Sequence, residues 1–300
     1  EKNSITKNTT TQGALLHLLT SSAPKDEKIG RLSEALSRVF TEVEGDKVTF
    51  IGSTFTRYGE DTSYLNHCIV FDTCSDIPNA QIETYSTEKA VLLAWTKLIQ
   101  RENPDFIIGY NIFGFDYTFM FMRAKELKCE FDFLKLSRNR DQLCGKTDRD
   151  SPGEIMIEES SIVIASGQHD LQFIKMPGRI QIDLYNYFRR SVNLEQYKLD
   201  YVAGYFIGDS VTTAEVHEKK NMTQIFSKNL DGLRQDDFIC FEEIEHTTDK
   251  YNDGEKFQVV EMNRHEKWFK VNGTVVFNKK KQIRWCMGKD DVTPQDIFRL

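Results

Sequence analysis

Residues 104–116 read Pro104-Asp105-Phe106-Ile107-Ile108-Gly109-Tyr110-Asn111-Ile112-Phe113-Gly114-Phe115-Asp116. The apolar run in this stretch is typical of a central strand of a parallel sheet, and Asn111 and Asp116 follow where the chain leaves that strand. The carboxyl ends of strands in open α/β sheets are where ligands bind. Asp116 therefore has two interpretations: the N-cap of the next helix, which the local context favours, or a ligand for a divalent cation over a phosphodiester.

The segments around this stretch alternate between strand and helix patterns. The strand-like segments upstream are 47–55, 67–72 and 81–85. A helix capped by Ser86 or Thr87 follows them and ends at Asn103-Pro104, and a further helix is predicted over about 117–128. A hairpin followed by this alternation predicts an α/β fold, with a mixed sheet flanked by helices.

The remaining segments predict helices at the start of the chain and many strands near its end. The helical patterns lie near 13–20, 27–43 and 194–207, a hairpin is indicated at 162–164 and 173–174, and a core strand at 179–184. Residues 211–285 are polar and strand-like, with strands predicted at 238–241, 257–260, 268–271 and 274–277. Asp253-Gly254 and Asn272-Gly273 are turn signals, so this region predicts a small β-rich insertion.

The composition excludes several functional classes. The 300 residues are 39% hydrophobic and carry a net charge of −7, which fits a globular protein and argues against a stand-alone duplex-binding module. No apolar run is long enough to cross a membrane. The six cysteines form no C-x-x-C pair, and the six histidines lack the spacing of a metal site.

The stretch ending at Asp116 resembles the second exonuclease motif of family B DNA polymerases, Y-N-x-x-x-F-D. The resemblance implies an RNase H-like fold. It also implies that Asp116 is a catalytic metal ligand for Mg²⁺ or Mn²⁺. Tyr110, Asn111 and Phe115 are then expected to contact and position the single-stranded end of a DNA primer.

Two further matches follow in the order that the family has. Residues 178–184, with 197–203 after them, are similar to its G-R-x-x-x-D-L strand and Y-K-L-x-x-V-A helix, and residues 288–294 are similar to the segment before its third motif. Asp183 ends the predicted core strand of the first of these matches, where it either orients neighbouring groups of the site or, as the context favours, has a structural or capping role. Tyr197 is expected in the core.

These matches predict a division of the chain into four parts. The parts are a helical or loop segment over 1–45, an exonuclease core over 46–210, a β-rich insertion over 211–285, and a return to the core over 286–300. The insertion resembles one in polymerases of giant DNA viruses.

The family's first motif, D-x-E, is not found before the strand at 47–55. Gln81-Ile82-Glu83 has glutamine where aspartate is required and comes too late, and Asp72 lacks the context. The third motif, Y-x-x-x-D, is expected after residue 300. The chain is therefore expected to run from just past the first motif to just short of the third. Because one aspartate cannot hold two cations against a phosphate, we expect negligible exonuclease activity from these 300 residues alone.

The leading interpretation is part of the 3′–5′ proofreading exonuclease region of a viral DNA polymerase. Its expected partners are the single-stranded primer end, the other polymerase domains and a sliding clamp, with no membrane, at a viral replication site in the host cytoplasm or nucleus. One alternative is a non-catalytic, degenerate exonuclease fold that acts as a scaffold, with 211–285 binding a protein. Another is a different RNase H-like nuclease.

Overall fold

A computed structural model describes residues 20–39, 44–60, 62–147, 153–164, 167–217, 219, 221–278 and 280–288. Three predictions therefore lie outside the described residues, wholly or in part. They are the helix near 13–20 apart from its last residue, the end of the helix over 27–43, and the match over 288–294 apart from Gly288.

Helices and strands alternate in the first two thirds of the chain, and strands dominate the last third. The helices are α1 (Lys25–Val39), α2 (Glu88–Glu102), α3 (Asp116–Glu126), α4 (Glu130–Phe133), α5 (Leu184–Ser191) and α6 (Leu199–Phe206). The strands up to α5 are β1 (Phe50–Thr56), β2 (Ser63–Phe71), β3 (Gln81–Tyr85), β4 (Phe106–Gly109), β5 (Lys146–Thr147), β6 (Ile155–Met156), β7 (Glu158–Ile164), β8 (Gly167–Phe173) and β9 (Ile180–Asp183). The later strands are β10 (Gly208–His217), β11 (Met222–Ser227), β12 (Phe238–Ile244), β13 (Thr248–Lys250), β14 (Phe257–Asn263), β15 (Trp268–Asn272) and β16 (Gln282–Met287).

The described residues fall into two compact units. The first is drawn from Glu1–Ile107, Phe113–Ser160 and Asp170–Ile180. The second is drawn from Ile108–Ile112, Ser161–His169 and Gln181–Leu300. The strand β4 and the hairpin of β7 and β8 each contribute residues to both units.

The first unit contains a mixed three-stranded sheet, which confirms the predicted hairpin and the third strand. β1 and β2 pair antiparallel, with Phe50 opposite Val70, whereas β2 and β3 pair parallel, with Cys68 opposite Ile82. Helix α2 packs on this sheet through an apolar face that includes the fully buried Leu92. Such a face arises because apolar residues recur at helical spacing along 91–99.

The ends of α2 follow from local chemistry. The side chain of Thr87 caps the helix by accepting a hydrogen bond from the backbone amide of Ala90 at 3.3 Å. Of the two predicted caps, Ser86 and Thr87, the structure therefore confirms Thr87. At the other end, Asn103 adopts a left-handed conformation with φ 47°, and its amide donates to the carbonyl of Ile99. Pro104 follows and cannot extend the helix.

Strands β4 and β9 pair with each other, and a buried arginine ties together the segments that lead into them. Arg179 donates to the carbonyl of Leu136 at 3.0 Å and to the carbonyl of Pro104 at 2.8 Å. Gly178 precedes it with φ 82°, a conformation that glycine adopts without strain. The pair Gly178-Arg179 therefore sets the entry of β9 beside the entry of β4.

The second unit contains a closed barrel. Strands β10 to β16 pair in the order β13-β12-β14-β15-β11-β10-β16, and β16 also pairs with β12, where Cys240 lies opposite Cys286. That last pairing closes a ring of six antiparallel strands, with β13 at its rim. Fully buried aromatic side chains, Phe241, Phe269 and Trp285, fill the interior.

Three predictions differ from the structure. The apolar run at 106–110 was predicted to be a central strand, but β4 pairs only with β9 among the described strands, and its Phe106 and Ile108 are exposed. The helix predicted over 194–207 is confirmed over 199–206 as α6 but begins five residues later than predicted, and the separate helix α5, which Asp183 caps, was not predicted. The strand predicted at 274–277 is absent, since the amide of Val275 donates to the side chain of Thr223 rather than to a neighbouring strand. The other three strands predicted in this region are confirmed as β12, β14 and β15.

Candidate functional site

The chain turns sharply where it leaves β4. A side chain at Gly109 would place its Cβ 2.3 Å from Cγ2 of Ile112, so the turn requires glycine at that position. Two residues later, Asn111 adopts a left-handed backbone with φ 62°. Asparagine tolerates this conformation better than most residues, which is the local signal that could have predicted the turn.

Asp183 holds this turn from the end of β9. Its side chain is only 5% exposed, and its Oδ1 accepts a hydrogen bond from the backbone amide of Asn111 at 2.8 Å. The same oxygen accepts from the amide of Tyr185 at 3.0 Å, which makes Asp183 the N-cap of α5. Oδ2 accepts from Nδ2 of Asn186 at 3.1 Å. The capping role is therefore visible directly, and the same carboxylate also binds a residue 72 positions away.

The hydroxyl of Tyr110 is held in a hydrogen bond within the protein. The hydroxyl donates to the carbonyl of Tyr197 at 2.6 Å, and the ring meets Tyr185 edge-on with centroids 5.7 Å apart. Burial raises the pKa of the Tyr110 hydroxyl, and the nearby Tyr185, Asp183 and Asp200 raise it further. The hydroxyl therefore stays protonated and occupied at neutral pH, which leaves the ring as the part of Tyr110 available to a ligand.

Tyr197 is half-buried and organises the connection between α5 and α6, rather than lying in the core as predicted. Its hydroxyl donates to the carbonyl of Val192 at 2.8 Å and accepts from the amide of Leu194 at 3.2 Å. These two bonds close the irregular chain that separates the helices, so the residue has a structural role.

Asp116 lies in the first turn of α3, and its side chain is exposed. The N-cap position is taken by Phe115, whose side chain makes no capping hydrogen bond, so the interpretation of Asp116 as the N-cap is wrong. A carboxylate in the first helical turn is favoured by the helix dipole. Its exposure leaves it accessible to a ligand from solvent.

Aromatic side chains anchor the segment around Asp116. Phe115 is 58% exposed and stacks on Phe119, with centroids 5.5 Å apart and planes inclined by 8°. Phe113 packs in the same unit against Phe173 at 5.2 Å and Tyr117 at 6.0 Å. The start of α3 is thus fixed by Phe113, while Phe115 presents a flat apolar surface to solvent.

The predicted site residues are divided between the two units. Phe115 and Asp116 belong to the first unit, and Tyr110, Asn111 and Asp183 to the second. Within the second unit, the amide of Asn111 is bonded to Asp183, and the ring of Tyr110 contacts the ring of Tyr185. The sequence did not reveal that Asp183 and Asn111 are bonded, since no local pattern links them.

The described residues do not form a complete metal centre. Among them, no group of three or more histidine, cysteine, aspartate or glutamate side chains is placed to hold an ion. Asp116 is an exposed carboxylate, a hard oxygen ligand, within the stretch 104–116. Asp72, directly after β2, is exposed as well but lies outside that stretch, so Asp116 is the candidate ligand that also fits the motif.

Comparison with known proteins agrees with the sequence motifs. Residues 33–202 match the family described as DNA polymerase family B, exonuclease domain. The chain is 42% identical over 286 residues, 92% of its length, to a DNA polymerase of Phaeocystis pouchetii virus, and 33% identical over 273 residues, 90% of its length, to that of Pyramimonas orientalis virus. It is 30% identical over 172 residues, 57% of its length, to the DNA polymerase delta catalytic subunit of Schizosaccharomyces pombe.

The matches cover only part of each relative. The chain spans 27% of the length of the Phaeocystis pouchetii virus protein, 20% of the Pyramimonas orientalis virus protein and 15% of the yeast subunit. In the described part of the chain, no helix has the length and apolar character needed to cross a membrane. Because the family match covers more than half of the chain and includes the stretch that ends at Asp116, the chain belongs to the exonuclease domain family of the family B DNA polymerases.

Proposed function

We propose that this chain is part of the 3′–5′ proofreading exonuclease region of a DNA-directed DNA polymerase that replicates a viral genome in its host cell. The observation that carries the proposal is the exposed carboxylate of Asp116, directly after the turn that follows β4, within the family match. The similarity to polymerases of two viruses supports the viral setting.

The fold in this proposal is an RNase H-like core interrupted by an insertion. The mixed sheet of β1 to β3, the helix α2 and the pair β4–β9 are its core elements. The family match ends at residue 202, and the yeast relative aligns over 57% of the chain whereas the viral relatives align over at least 90%. This difference supports 211–285 as an insertion into the core. The division at 1–45, 46–210 and 286–300 is part of the same proposal.

Asp116 would hold Mg²⁺ or Mn²⁺ in the complete domain, together with ligands outside the described residues. A divalent cation at such a site polarises a phosphodiester and activates water. The chain's own contribution is an oxygen ligand in the first turn of α3, where the aromatic packing of Phe113 fixes the backbone. Oxygen ligands of this kind suit both ions.

The single-stranded primer end would bind through stacking and through one amide side chain. Phe115 offers an exposed ring already stacked on Phe119, and stacking accepts any base, as proofreading requires. The ring of Tyr110 would line the path of the strand, since its hydroxyl is occupied. Asn111 would donate or accept hydrogen bonds with the terminal nucleotide. The other polymerase domains would deliver the DNA, and a sliding clamp is a further proposed partner.

The test is the substitution Asp116→Ala in the complete polymerase. We expect exonuclease activity on single-stranded DNA to fall on the order of 10³-fold, because loss of a metal ligand removes several kcal/mol of transition-state stabilisation. DNA synthesis on a matched primer should not change. Asp76→Ala is the matched control, since Asp76 is an exposed aspartate in the loop after β2.

Two outcomes distinguish the alternatives. Unchanged digestion in D116A, with the same Mg²⁺ dependence as the parent enzyme, would reject the proposed role of Asp116. An enzyme without exonuclease activity before any substitution would instead favour the scaffold interpretation.

A further inference from the structure

The backbone at Asn111 lies in the left-handed region, with φ at 62°. Asparagine enters this region more readily than most residues, but the region is still less favourable than ordinary helical or extended backbone, so a bond that holds the residue there fixes the direction of its side chain. The amide of Asn111 points at Oδ1 of Asp183 and donates to it at 2.8 Å. This bond pairs a backbone donor with an ionisable carboxyl acceptor, and bonds to ionised acceptors are stronger than those between neutral groups.

The acceptor itself is rigidly held. Asp183 is 5% exposed, so its carboxyl group has few alternative positions. Its Oδ1 also accepts from the amide of Tyr185, and its Oδ2 from Asn186, both in the first turn of α5. The turn after β4 is therefore bonded to the N-terminus of α5 through one buried side chain.

We infer that Asp183 is a positioning residue of the exonuclease site and acts through Asn111. By fixing the left-handed backbone of Asn111, it sets the direction in which the amide side chain of Asn111 is presented to the terminal nucleotide. Without that bond, the turn relaxes toward ordinary backbone conformations, and the side chain changes direction. This inference rests on the proposed function, and it goes beyond the capping role, which by itself would involve only α5.

The substitution Asp183→Ser separates the two roles. Serine is a good N-cap and can accept from the amide of Tyr185, but its single, shorter side-chain oxygen cannot also reach the amide of Asn111. In the complete polymerase, we expect D183S to lower kcat/KM for digestion of single-stranded DNA about tenfold, with DNA synthesis unchanged. Hydrogen exchange of the peptide containing Asn111, measured by mass spectrometry, should become faster.

Thr87→Ala is the matched control. It removes a helix cap from α2, where the side chain of Thr87 accepts from the amide of Ala90, and so weakens the fold without touching Asn111. If the loss in D183S came from general destabilisation, T87A would show a similar loss of exonuclease activity, and the inference would be overturned.

A double-mutant cycle gives the decisive measurement. If Asp183 acts through Asn111, then D183S has no further effect on digestion once Asn111→Ala is present. Losses that multiply in the double variant would overturn the inference. Should D183S not fold, Asp183→Thr, whose single hydroxyl oxygen can also cap a helix, is measured in the same cycle under the same criterion. The D116A variant separates the two proposals: if D116A abolishes digestion and D183S has no effect, only the present inference fails.

Discussion

Two aspartates in this chain have similar positions and opposite environments. Both lie between a strand and a helix, Asp183 as the last residue of β9 and Asp116 as the first residue of α3, so either is a candidate N-cap from the sequence. The structure makes Asp183 the buried cap and leaves Asp116 exposed. Local sequence cannot separate these cases, because the bond that fixes Asp183 comes from Asn111, 72 residues earlier. The position of Asp116 at the start of the helix after β4 was predictable, whereas the burial of Asp183 was not.

The buried pair of Glu88 and Arg123 shows a further role that sequence reasoning missed. Glu88 lies in the first turn of α2, where the helix dipole favours an acidic residue. Its side chain is in fact 5% exposed and accepts two hydrogen bonds from Arg123, at 2.8 and 2.5 Å, and one from the amide of Val48 at 2.9 Å. The pair therefore joins α2, α3 and the chain before β1.

We predict that Glu88 makes this chain sensitive to acid. Burial alone raises the pKa of the Glu88 carboxyl, but the bonds from Arg123 and Val48 outweigh it, so the pKa lies below its ordinary value. A carboxyl with a lowered pKa in the folded state contributes stability above the unfolded pKa of about 4.3, and this contribution is lost as the pH falls through the folded pKa. Urea denaturation at a series of pH values should show the unfolding free energy falling below about pH 5.

Glu88→Gln tests the assignment. At pH 7 it should lower the unfolding free energy by about 3 kcal/mol, because it leaves the buried Arg123 short of negative charge. Below pH 5, the variant should lose less stability than the parent. Glu126→Gln is the control: Glu126 also contacts Arg123 but is exposed, so a small effect is expected. A parallel pH dependence in E88Q and the parent would assign the acid sensitivity to other carboxyls.

At the scale of elements, the sequence predicted those whose signals are local. The strand at 81–85 and the helix from Glu88 to Glu102 have the predicted bounds, since alternation, a cap and Asn103-Pro104 define them. The helix predicted over 194–207 began five residues too early, because the helical pattern of α6 was extended backwards over the connection that Tyr197 closes. The helix before it, α5, begins at the cap Asp183, whose role the sequence left open between capping and orienting the site.

The closure of the barrel is an element-scale feature that depends on glycine. Gly208 begins β10 opposite Cys286 of β16, and a Cβ there would lie 2.4 Å from the carbonyl oxygen of Trp285. That contact involves backbone, so neither strand can yield without breaking the pairing. Gly208→Ala should therefore lower the unfolding free energy by about 2 kcal/mol, as overpacking does elsewhere.

Gly52→Ala is the matched control for this prediction. Gly52 also lies in a strand, β1, opposite Cys68, but a Cβ there would have no heavy atom within 4 Å. Its replacement should be neutral or slightly stabilising, because alanine restricts the unfolded chain. Equal stability of G208A and G52A in thermal denaturation would show that β10 and β16 can separate without cost.

At the scale of the whole molecule, the sequence predicted that the last third of the chain is β-rich but not that its strands close into a barrel. Residues 211–285 were predicted to be β-rich, and they are. The closed ring, however, depends on β16 pairing with both β10 and β12, and it begins at Gly208 and ends at Met287. Such pairings join residues about 40 to 80 positions apart and leave no periodic pattern in the sequence.

The last prediction concerns the activity of the 300-residue chain by itself. Two cations about 4 Å apart require several carboxylates, and the sequence offers one match, Asp116, to the family's metal-binding motifs. Purified chain with Mg²⁺ or Mn²⁺ should therefore digest single-stranded DNA no faster than its own D116A variant, while the complete polymerase, assayed in parallel, digests it readily. Digestion by the isolated chain that requires Mg²⁺ and disappears in D116A would contradict this expectation, and would mean that side chains other than the recognised motif complete the site.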